Sequence, residues 1–311
     1  MKSKIKTIIV TGAAGLIGSA LTRKLLTKNI DVIGYDNFSS GGWEGNGNNL
    51  IWEKTDISSP SLEDSLNRYD ADVIVHCAAH PGGKSLNEPT LDVEVNLLGS
   101  MRLFEWCARS KIPVIYLSSS VVYADQPPGP ILENTIVKPG TVYGVSKVAC
   151  ENFLKILGYG YGLEWTALRL FATYGAGHKP SKTQGIVNIM LTQLLEGDHI
   201  IVKGSLQRSR DMLYVDDAVD AIIKSIFSNK ARGEIINAGT GDPVTIDFLI
   251  RCLCDVLGKN YNDLIIQEEE GTIGDPFYNS ADCTKAKEIL GFAPKYSLTQ
   301  GLEKLVKKRL G

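Results

Sequence analysis

Two side chains that can move a proton lie four positions apart in the segment Tyr143-Gly-Val-Ser-Lys147. In a helix, this spacing places both side chains on one face. An ammonium group beside a phenol stabilises the phenolate, which suits the tyrosine to act as a base near neutral pH. A tyrosine and a lysine at this spacing are also common on ordinary helix surfaces, so the interpretation needs support from elsewhere in the chain.

A run of serines, Ser118-Ser119-Ser120, provides that support. It follows an apolar segment that is predicted to be the fifth strand of a sheet, residues 114–118. Ligands of open α/β sheets bind at the carboxyl ends of the strands. A serine hydroxyl at this position can hydrogen-bond an oxygen atom that is being oxidised and help to pass its proton to Tyr143.

A glycine-rich turn, Thr11-Gly-Ala-Ala-Gly-Leu-Ile-Gly18, separates the predicted first strand from the predicted first helix. Gly12 permits the tight turn, Gly15 lets the backbone approach a pyrophosphate, and Gly18 lets the helix pack closely on the strand. The free amides and the positive dipole end of the helix favour a bound phosphate. Asp36 ends the second strand, where a carboxylate accepts hydrogen bonds from the adenosine ribose and repels a 2′-phosphate. The pattern therefore predicts NAD rather than NADP as the cofactor.

The segments that position these side chains alternate between strand and helix patterns. This alternation predicts an α/β protein with a Rossmann-type, doubly wound parallel sheet and helices on both faces. We assign residues 1–171 to the NAD-binding Rossmann domain and residues 172–311 mainly to a smaller, interleaved C-terminal substrate lobe, with strand 234–238 rejoining the first sheet. The predicted strands are 5–11, 31–35, 50–53, 73–78, 114–118, 164–170, 200–203 and 234–238, and the predicted helices are 16–27, 91–110, 143–157, 183–195, 215–227, 246–257 and 282–290.

The composition bounds the possible partners. The chain has 311 residues, 43% of them hydrophobic, and a net charge of −2. This length and composition predict a globular fold with a substantial core. The small net charge argues against nucleic acid or an anionic membrane as the main partner. The sequence contains no uninterrupted apolar stretch of about 18 residues, so it predicts no membrane span. The six cysteines fit neither a zinc site nor a disulfide framework, so we expect reduced thiols, no bound metal and a cytoplasmic protein.

Taken together, the motifs resemble those of an extended short-chain dehydrogenase/reductase, specifically of the nucleotide-sugar epimerase/dehydratase family. The resemblance runs from residue 5 to about residue 295 and so covers nearly the whole chain. The matching segments are Thr11–Gly18, Asp36, Asp56-Ile57, His76-Cys-Ala-Ala79, Asn96, Ser118–Tyr123, Tyr143–Lys147, Arg210–Asp217 and Asn237-Ala-Gly-Thr240.

The resemblance implies a catalytic set of Ser119, Tyr143 and Lys147, and a nucleotide-sugar substrate that contacts Ser119, Ser120 and Arg210. It also implies a homodimer in which helices 91–110 and 143–157 of two subunits form a four-helix bundle. Together with the glycine-rich turn, the residues expected to bind NAD are Gly12, Gly15, Leu16, Ile17, Gly18, Asp36, Asn37, Asp56, Ile57, Cys77, Ala78, Ala79, Asn96, Tyr143, Lys147 and Phe171.

Members of this family transiently oxidise a sugar carbon, usually C4, and the residues after the catalytic hydroxyl distinguish the later steps of the reaction. A dehydratase or decarboxylase carries a carboxylate there, whereas this chain reads Ser119-Ser120-Val121. The 3,5-epimerases carry a cysteine in this segment, which is absent here, and the reductases generally favour NADPH, against Asp36. The resemblance therefore predicts a 4-epimerase, in which the 4-ketone turns over and hydride returns to its other face. The alternatives are another nucleotide-sugar redox enzyme, such as a 2-epimerase, dehydratase or reductase, and a non-catalytic NAD-binding regulator.

Two positions depart from the family pattern near the expected diphosphate. Ala172 stands where an amide side chain is usual, and Thr272 stands where a second diphosphate arginine is expected. The identity of the nucleotide is therefore left open. Lys84, in a glycine-flanked loop, and Lys179 are candidates to receive the diphosphate instead, or a uronate carboxylate on the sugar.

Overall fold

The computed structural model of the protein describes residues 5–177 and 179–311. The strands are β1 (Thr7–Thr11), β2 (Asp31–Asp36), β3 (Leu50–Lys54), β4 (Val73–His76), β5 (Val114–Ser119), β6 (Trp165–Leu170), β7 (Ala172–Tyr174), β8 (His199–Lys203), β9 (Ser209–Tyr214), β10 (Glu234–Ala238), β11 (Pro243–Thr245) and β12 (Ile265–Glu269). The helices are α1 (Leu16–Leu26), α2 (Leu62–Leu66), α3 (Gly82–Ser85), α4 (Pro89–Asp92), α5 (Ser100–Ser110), α6 (Val142–Tyr161), α7 (Ile186–Glu196), α8 (Val215–Phe227), α9 (Ile246–Leu257), α10 (Thr284–Leu290) and α11 (Leu298–Leu310).

Seven parallel strands form the main sheet, in the order β10-β6-β5-β4-β1-β2-β3. The chain first builds outward from β1 to β3, then returns to the other side of β1 and builds from β4 to β6, so the strand order reverses between β1 and β4. The predicted α/β class, with a doubly wound Rossmann sheet, is confirmed. Strand β10 pairs with β6 in parallel, with Ile235 opposite Ala167. The division of the chain at residue 171 stays a prediction.

The core has two layers because successive strand residues point to opposite faces of the sheet. On β1, Ile8 and Val10 pack with the layer that contains α1 and α8, whereas Ile9 packs with the layer that contains α5 and α6. Leu21 and Leu25 of α1 are fully buried in the first layer. Both faces of the central strands are therefore covered, which is why these strands are continuously apolar in sequence.

The predicted helix 91–110 begins earlier than expected and is not uniform. It starts with α4, passes through π-helical turns over Val93–Gly99 and continues as α5. The wider turns of a π-helix change which side chains face inward, and such turns are frequent at functional sites. Here Asn96 and Ser100 point into the protein, each only 1% exposed.

The C-terminal part contains elements that the sequence analysis did not predict. Strand β9 is buried along its whole length and pairs with β11 in antiparallel and with β7 in parallel orientation. Strand β12 pairs with β8, and α11 begins with a capping box at Ser297. Because β9 carries Arg210, this unpredicted strand brings a candidate substrate residue to the carboxyl ends of the central strands.

Neither a membrane span nor a metal cluster appears in the part of the chain that the structure describes. No helix there is long and apolar enough to cross a membrane. No group of three or more histidine, cysteine or acidic side chains there is placed to hold a metal ion. The six cysteines are all unpaired.

A buried ion pair links α6 to β5 and β6, the two strands that end at the pocket described below. Arg169 of β6 binds Glu151 of α6 through two hydrogen bonds, Nε to Oε1 at 2.9 Å and Nη2 to Oε2 at 2.6 Å. The Ser118 hydroxyl of β5 donates to the same carboxylate at 2.6 Å, and Arg169 Nη1 donates to the Tyr123 hydroxyl at 2.7 Å. Burial acts to lower the pKa of Arg169, but the hydrogen bond and the charge of Glu151 raise it overall. The end of β5 is thus fixed to α6 by charge-assisted bonds that water does not reach.

Replacing Glu151 with Gln is expected to lower the free energy of unfolding by about 3–5 kcal/mol, because the Arg169 charge would remain buried without its partner. The measurement is urea unfolding. The matched control is Glu63→Gln, which breaks the Arg109–Glu63 pair, whose side chains are 55% and 54% exposed. The control is expected to cost about 1 kcal/mol or less. Equal losses in the two variants would contradict a structural role for the buried pair.

Candidate active site

A pocket of about 600 Å³ opens at the carboxyl ends of the central strands, where the strand order reverses. Ligands of doubly wound sheets bind at this position because neighbouring loops diverge there. Its walls come from the glycine-rich turn after β1, from Asp36 at the end of β2, from residues 77–84 after β4 and from the start of α6. A further wall comes from β9 and residues 275–279.

Two glycines of the glycine-rich turn, Gly12 and Gly18, have no space for a side chain. Gly12 has a φ of +67°, and a Cβ atom there would lie 2.6 Å from the Ala78 nitrogen. A Cβ atom at Gly18 would lie 2.0 Å from the Gly12 carbonyl oxygen. The turn therefore brings bare backbone and the amino end of α1 to the pocket, and this cradle fits the pyrophosphate of a dinucleotide. Leu16 and Ile17 line the pocket beside it, as predicted for the cofactor site.

Asp36 connects this turn to the loop after β2. Its Oδ2 accepts a hydrogen bond from the Ala14 amide at 2.9 Å, and its Oδ1 accepts one from the Phe38 amide at 2.7 Å. Each carboxylate oxygen keeps a second lone pair, and the residue lines the pocket. The carboxylate is thus held rigidly where a ribose hydroxyl can donate to it.

Asn37, Asp56 and Ile57 line the same end of the pocket. The Asn37 amide donates to Asp56 Oδ2 at 2.5 Å, and the Ser58 amide and hydroxyl donate to Asp56 Oδ1 at 2.8 and 2.6 Å. Partial burial acts to raise the pKa of Asp56, but these hydrogen bonds outweigh it and the pKa is lowered. The carboxylate stays ionised and holds the loop in place.

Lys147 and Tyr143 lie close together at the start of α6. The helix begins after Thr141, and the hydroxyl of Thr141 accepts a hydrogen bond from the Gly144 amide. Lys147 is 4% exposed, and its Nζ donates to the Leu117 carbonyl at 2.7 Å. The same nitrogen lies 5.3 Å from the centroid of the Tyr143 ring. Gly82 also lies against that ring, where a Cβ atom would be 3.2 Å from Tyr143 Cδ1. The phenol is thereby held by a buried cation and a backbone wall.

Ser119 and Ser120 line the pocket next to this pair. The Ser119 hydroxyl caps the short 3₁₀ turn Ser120–Tyr123 by accepting from the Val121 amide at 3.4 Å. Because it accepts in that bond, its own hydrogen can be donated to a ligand. The structure therefore brings the three predicted catalytic residues together in one pocket.

Cys77, Ala78 and Ala79 form a further part of the pocket wall. It follows His76, whose two ring nitrogens contact the hydroxyls of Thr11 at 2.6 Å and Ser100 at 2.8 Å. Burial and the nearby Lys147 lower the pKa of His76 to about 3. Burial also raises the pKa of the Cys77 thiol to about 12. Both groups are therefore neutral near pH 7, and they shape the wall without adding charge.

Asn96 lies behind the pocket, although the resemblance implies a cofactor contact. Its amide oxygen accepts from the His80 amide at 2.7 Å, and its amide nitrogen donates to the His80 carbonyl at 3.0 Å. The same nitrogen donates to Asp92 at 2.7 Å, and Asp92 also accepts from Ser146 at 2.6 Å. Asn96 thus holds the backbone after β4 in place, and Phe171, unlike Asn96, lines the pocket.

The predicted substrate residues are not all in the same place. Lys84 and Arg210 line the pocket, together with Ala172. Lys179 is exposed and instead lies against the loop after β2, where a Cβ atom at Gly42 would be 2.6 Å from its Cε.

Three features of this end of the pocket were not predicted. Arg210 is paired with Asp275, Nη2 to Oδ1 at 2.6 Å, and not with a neighbour in sequence. His80 and Glu88 both line the pocket, with Nε2 of the histidine 3.1 Å from Oε2 of the glutamate. Asn279 is 2% exposed, and its Oδ1 has no hydrogen-bond partner among the described residues. Asp275, Glu88 and Asn279 come from segments without periodic patterns, so no local sequence signal marked them.

The reversal of strand order, the glycine cradle and the pocket that contains Ser119, Tyr143 and Lys147 together define an α/β enzyme that binds a dinucleotide. A family model described as "NAD dependent epimerase/dehydratase family" matches residues 8–239. The chain belongs to this family, which confirms the predicted resemblance and NAD as the cofactor.

Three similar proteins show the range of the family. The UDP-glucose 4-epimerase of Mycolicibacterium smegmatis is 31% identical, over 96% of each chain. The crystal structure of a UDP-glucose 4-epimerase with UDP-glucose from Thermotoga maritima is 31% identical, with a TM-score of 0.91 over 98% of each chain. A UDP-N-acetyl-alpha-D-glucosaminuronate decarboxylase of Bacillus cytotoxicus is 30% identical over 97% of each chain. Similarity of this degree therefore accompanies more than one reaction.

Replacing Asp36 with Ser is expected to weaken NADH binding about 10- to 100-fold, because charge-assisted hydrogen bonds to the ribose would be lost. NADPH binding is expected to improve relative to NADH, because the repulsion of the 2′-phosphate would be removed. Both affinities can be measured by fluorescence titration of the cofactor-free protein. The control is Asp31→Ser at the exposed start of the same strand, which is expected to change neither affinity. An unchanged NADH/NADPH ratio in Asp36→Ser would rule out the ribose contact.

Proposed function

We propose that the protein is a nucleotide-sugar 4-epimerase that uses NAD without net consumption. The observation that carries the proposal is the convergence of Ser119, Tyr143 and Lys147 on a pocket that also contains the glycine cradle and Arg210. The relatives that are named epimerases support an isomerase.

The proposed reaction needs a base, a hydrogen-bond donor and room for a sugar ring to turn. The glycine turn and Asp36 would hold NAD, which would supply the acceptor and donor of hydride for the sugar carbon. The Tyr143 phenolate takes the proton of the sugar hydroxyl and gives it back when the alcohol forms again, while the Lys147 ammonium stabilises the phenolate. Ser119 donates a hydrogen bond to the same oxygen. The reaction also requires the 4-keto sugar to turn within the pocket, whose volume is about 600 Å³.

We infer that the nucleotide is UDP, because the epimerase relatives are named for UDP-sugars and Arg210 lies in the pocket to meet a diphosphate. Lys84 is proposed as a contact for the sugar, and its charge suits a uronate carboxylate or a polar substituent. Lys84 belongs to helix α3, which packs on the Tyr143 ring through Gly82. The same helix packs on the loop before α7 through Gly83, where a Cβ atom would lie 2.4 Å from the Thr183 carbonyl oxygen. This close packing supports the proposal by holding the backbone of α3 beside Tyr143, and Lys84 lines the same pocket.

A second candidate function is elimination or decarboxylation after the same oxidation. It is favoured by Glu88, a carboxylate that lines the pocket although none follows Ser119 in sequence. Its Oε2 lies 3.1 Å from the Nε2 of His80. Product analysis separates the candidates, because an epimer keeps the mass of the substrate, whereas loss of water or carbon dioxide lowers it.

Incubation with UDP-glucose, UDP-N-acetylglucosamine and UDP-glucuronate, followed by NMR, is expected to show a C4-inverted product without accumulation of NADH. Tyr143→Phe is expected to lower turnover by about 10²-fold or more, because the proton acceptor is lost. The control on the same helix is Tyr159→Phe, at a side chain that is 99% exposed and expected to be neutral. A product of lower mass would favour the second candidate. Absence of any reaction with UDP-, GDP-, CDP- and dTDP-sugars despite bound NAD would favour the non-catalytic regulator.

We also propose a cytoplasmic homodimer that pairs the 89–110 helix and α6 of two subunits. Both helices expose apolar side chains, Leu91 at 41%, Leu98 at 43%, Val145 at 53% and Ile156 at 61%. Large apolar groups on neighbouring helices mark an interaction surface when they are contiguous. Leu103 and Phe104, in contrast, are fully buried in the core and are not available to a partner.

Light scattering is expected to give twice the chain mass of 33.9 kDa for the wild type. Leu98→Glu is expected to give a single-chain mass, because a carboxylate in the proposed helix bundle would be desolvated without a partner. Leu132→Glu, at a side chain that is 50% exposed outside these helices, is the matched control and is expected to stay dimeric. A wild type of single-chain mass would exclude the proposed dimer.

A further inference from the structure

A segment of the C-terminal part packs on both loops that flank the glycine-rich turn. This segment, residues 179–185, directly precedes α7, and we call it the strap. The Lys179 side chain lies against Gly42 in the loop after β2. The Thr183 carbonyl lies against Gly83 in α3, which follows β4. Because β2 and β4 are the two neighbours of β1 in the sheet, the strap bridges the loops on either side of the glycine cradle.

The loop after β2 in turn closes on the glycine-rich turn itself. The Gly42 amide donates to the Ala14 carbonyl at 3.2 Å, and a Cβ atom at Gly41 would lie 2.4 Å from the Ala14 carbonyl carbon. The guanidinium carbon of Arg23, in α1, lies 5.1 Å from the centroid of the Trp43 ring. Gly41 also lines the pocket. The loop is therefore one wall of the cofactor site, and the strap rests against it.

Hydrogen bonds hold the strap together and join it to the C-terminal helices. Asn188 of α7 is 4% exposed, and its Nδ2 donates to the carbonyls of Lys179 at 3.0 Å and Gln184 at 3.2 Å. Its Oδ1 accepts from Arg309 Nη2 of α11 at 2.5 Å. Within the strap, the Ser181 hydroxyl accepts from the Gln184 amide at 3.1 Å. One buried amide thus joins both ends of the strap to α7 and α11.

The contact of the strap with the loop after β2 is of a weaker kind. The carbon stem of Lys179 packs on the backbone of Gly42, where a Cβ atom would lie 2.6 Å from Lys179 Cε. Packing contacts of this kind are individually small and have no strict direction. The strap can lose them while its hydrogen bonds to Asn188 remain. Surface segments that open at low cost often control the entry and exit of ligands.

We propose that the strap closes the pocket over the bound dinucleotide, and that Lys179 is the positioning residue that fastens it to the loop after β2. The cofactor then enters or leaves when the strap moves away from this loop. The inference goes beyond the proposed function, because it concerns the cofactor and not the sugar reaction. It also assigns to Lys179 a role in cofactor retention and not in binding the sugar diphosphate. Retention of this kind suits an enzyme that uses its cofactor without net consumption.

The first test is the rate at which NADH enters and leaves the protein, followed by its fluorescence with excess NAD as the competitor. Lys179→Ala is expected to raise the release rate about three- to tenfold, because the packing of the lysine stem is lost. The association rate with the cofactor-free protein is expected to rise similarly, so that Kd changes less than either rate. The matched control is Lys182→Ala in the same segment, because Lys182 pairs with Glu196 on the surface, where the side chains are 63% and 52% exposed. The control is expected to change neither rate.

A reversible cross-link tests the closure directly. Gly42→Cys combined with Lys179→Cys places two thiols at the contact and removes the lysine stem that a side chain at position 42 would meet. A short bis-methanethiosulfonate reagent, applied to the NADH-loaded double variant, is expected to lower the release rate about tenfold or more. Dithiothreitol is expected to restore the rate. Wild type treated in the same way controls for the native thiols, including Cys77 in the pocket.

Equal release rates before and after cross-linking would overturn the proposal, because the cofactor would then leave without movement of the strap. Failure of the two thiols to cross-link, as judged by mass, would contradict the contact itself. Unchanged rates in Lys179→Ala would refute the fastening role. Faster release with an unchanged association rate would also refute it, because Lys179 would then stabilise the bound cofactor and not close the site.

These measurements use no sugar, so they are independent of the proposed reaction. A protein that shows gated NADH release but inverts no sugar would leave the strap standing and remove the epimerase. An active epimerase with the same release rate in the cross-linked and reduced forms would remove the strap alone.

Discussion

Burial of the Lys147 ammonium is the interaction on which the geometry of the site depends. A charge can be kept from water only where acceptors or aromatic faces meet it. The Nζ atom donates to the Leu117 carbonyl and lies 4.7 Å from the centroid of the Tyr116 ring and 5.3 Å from that of Tyr143. These contacts fix the start of α6 against the end of β5. Tyr143 and Ser119 consequently face the same pocket, although they belong to different elements.

Two neighbouring residues at the end of β5 have different surroundings: Ser118 binds a buried side chain, whereas Ser119 faces the pocket. The Ser118 hydroxyl binds Glu151, which is paired with Arg169, whereas the next residue, Ser119, is free to present its hydroxyl to the pocket. This division follows from the alternation of side chains along a strand. The buried ion pair can hold the strand end rigidly without placing a charge next to the reacting oxygen. Rigid support of this kind is what an oriented proton transfer requires.

The glycine-turn end and the Arg210 end of the pocket offer different physical means of attracting phosphate. At the cofactor end, bare backbone at the glycine turn and the amino end of α1 provide the attraction, so no cationic side chain is needed there. At the substrate end, Arg210 provides a full charge that is tempered by Asp275. A chain with a net charge of −2 can therefore bind two phosphorylated ligands, because the attraction is local.

Short-range sterics and periodicity determined the parts of this protein that the sequence alone could predict. The first strand, the turn Gly12–Gly18 and α1 follow from apolar residues and from glycines where no Cβ atom fits. The helical spacing of Tyr143 and Lys147 placed the proposed catalytic pair on one face of α6. Only the tertiary structure decided which distant residues meet. Strand β9 was not predicted because its charged residues are buried by partners far away, as Arg210 is by Asp275, 65 positions along the chain. Such contacts leave no periodic trace in the sequence, because the compensating charge comes from another loop.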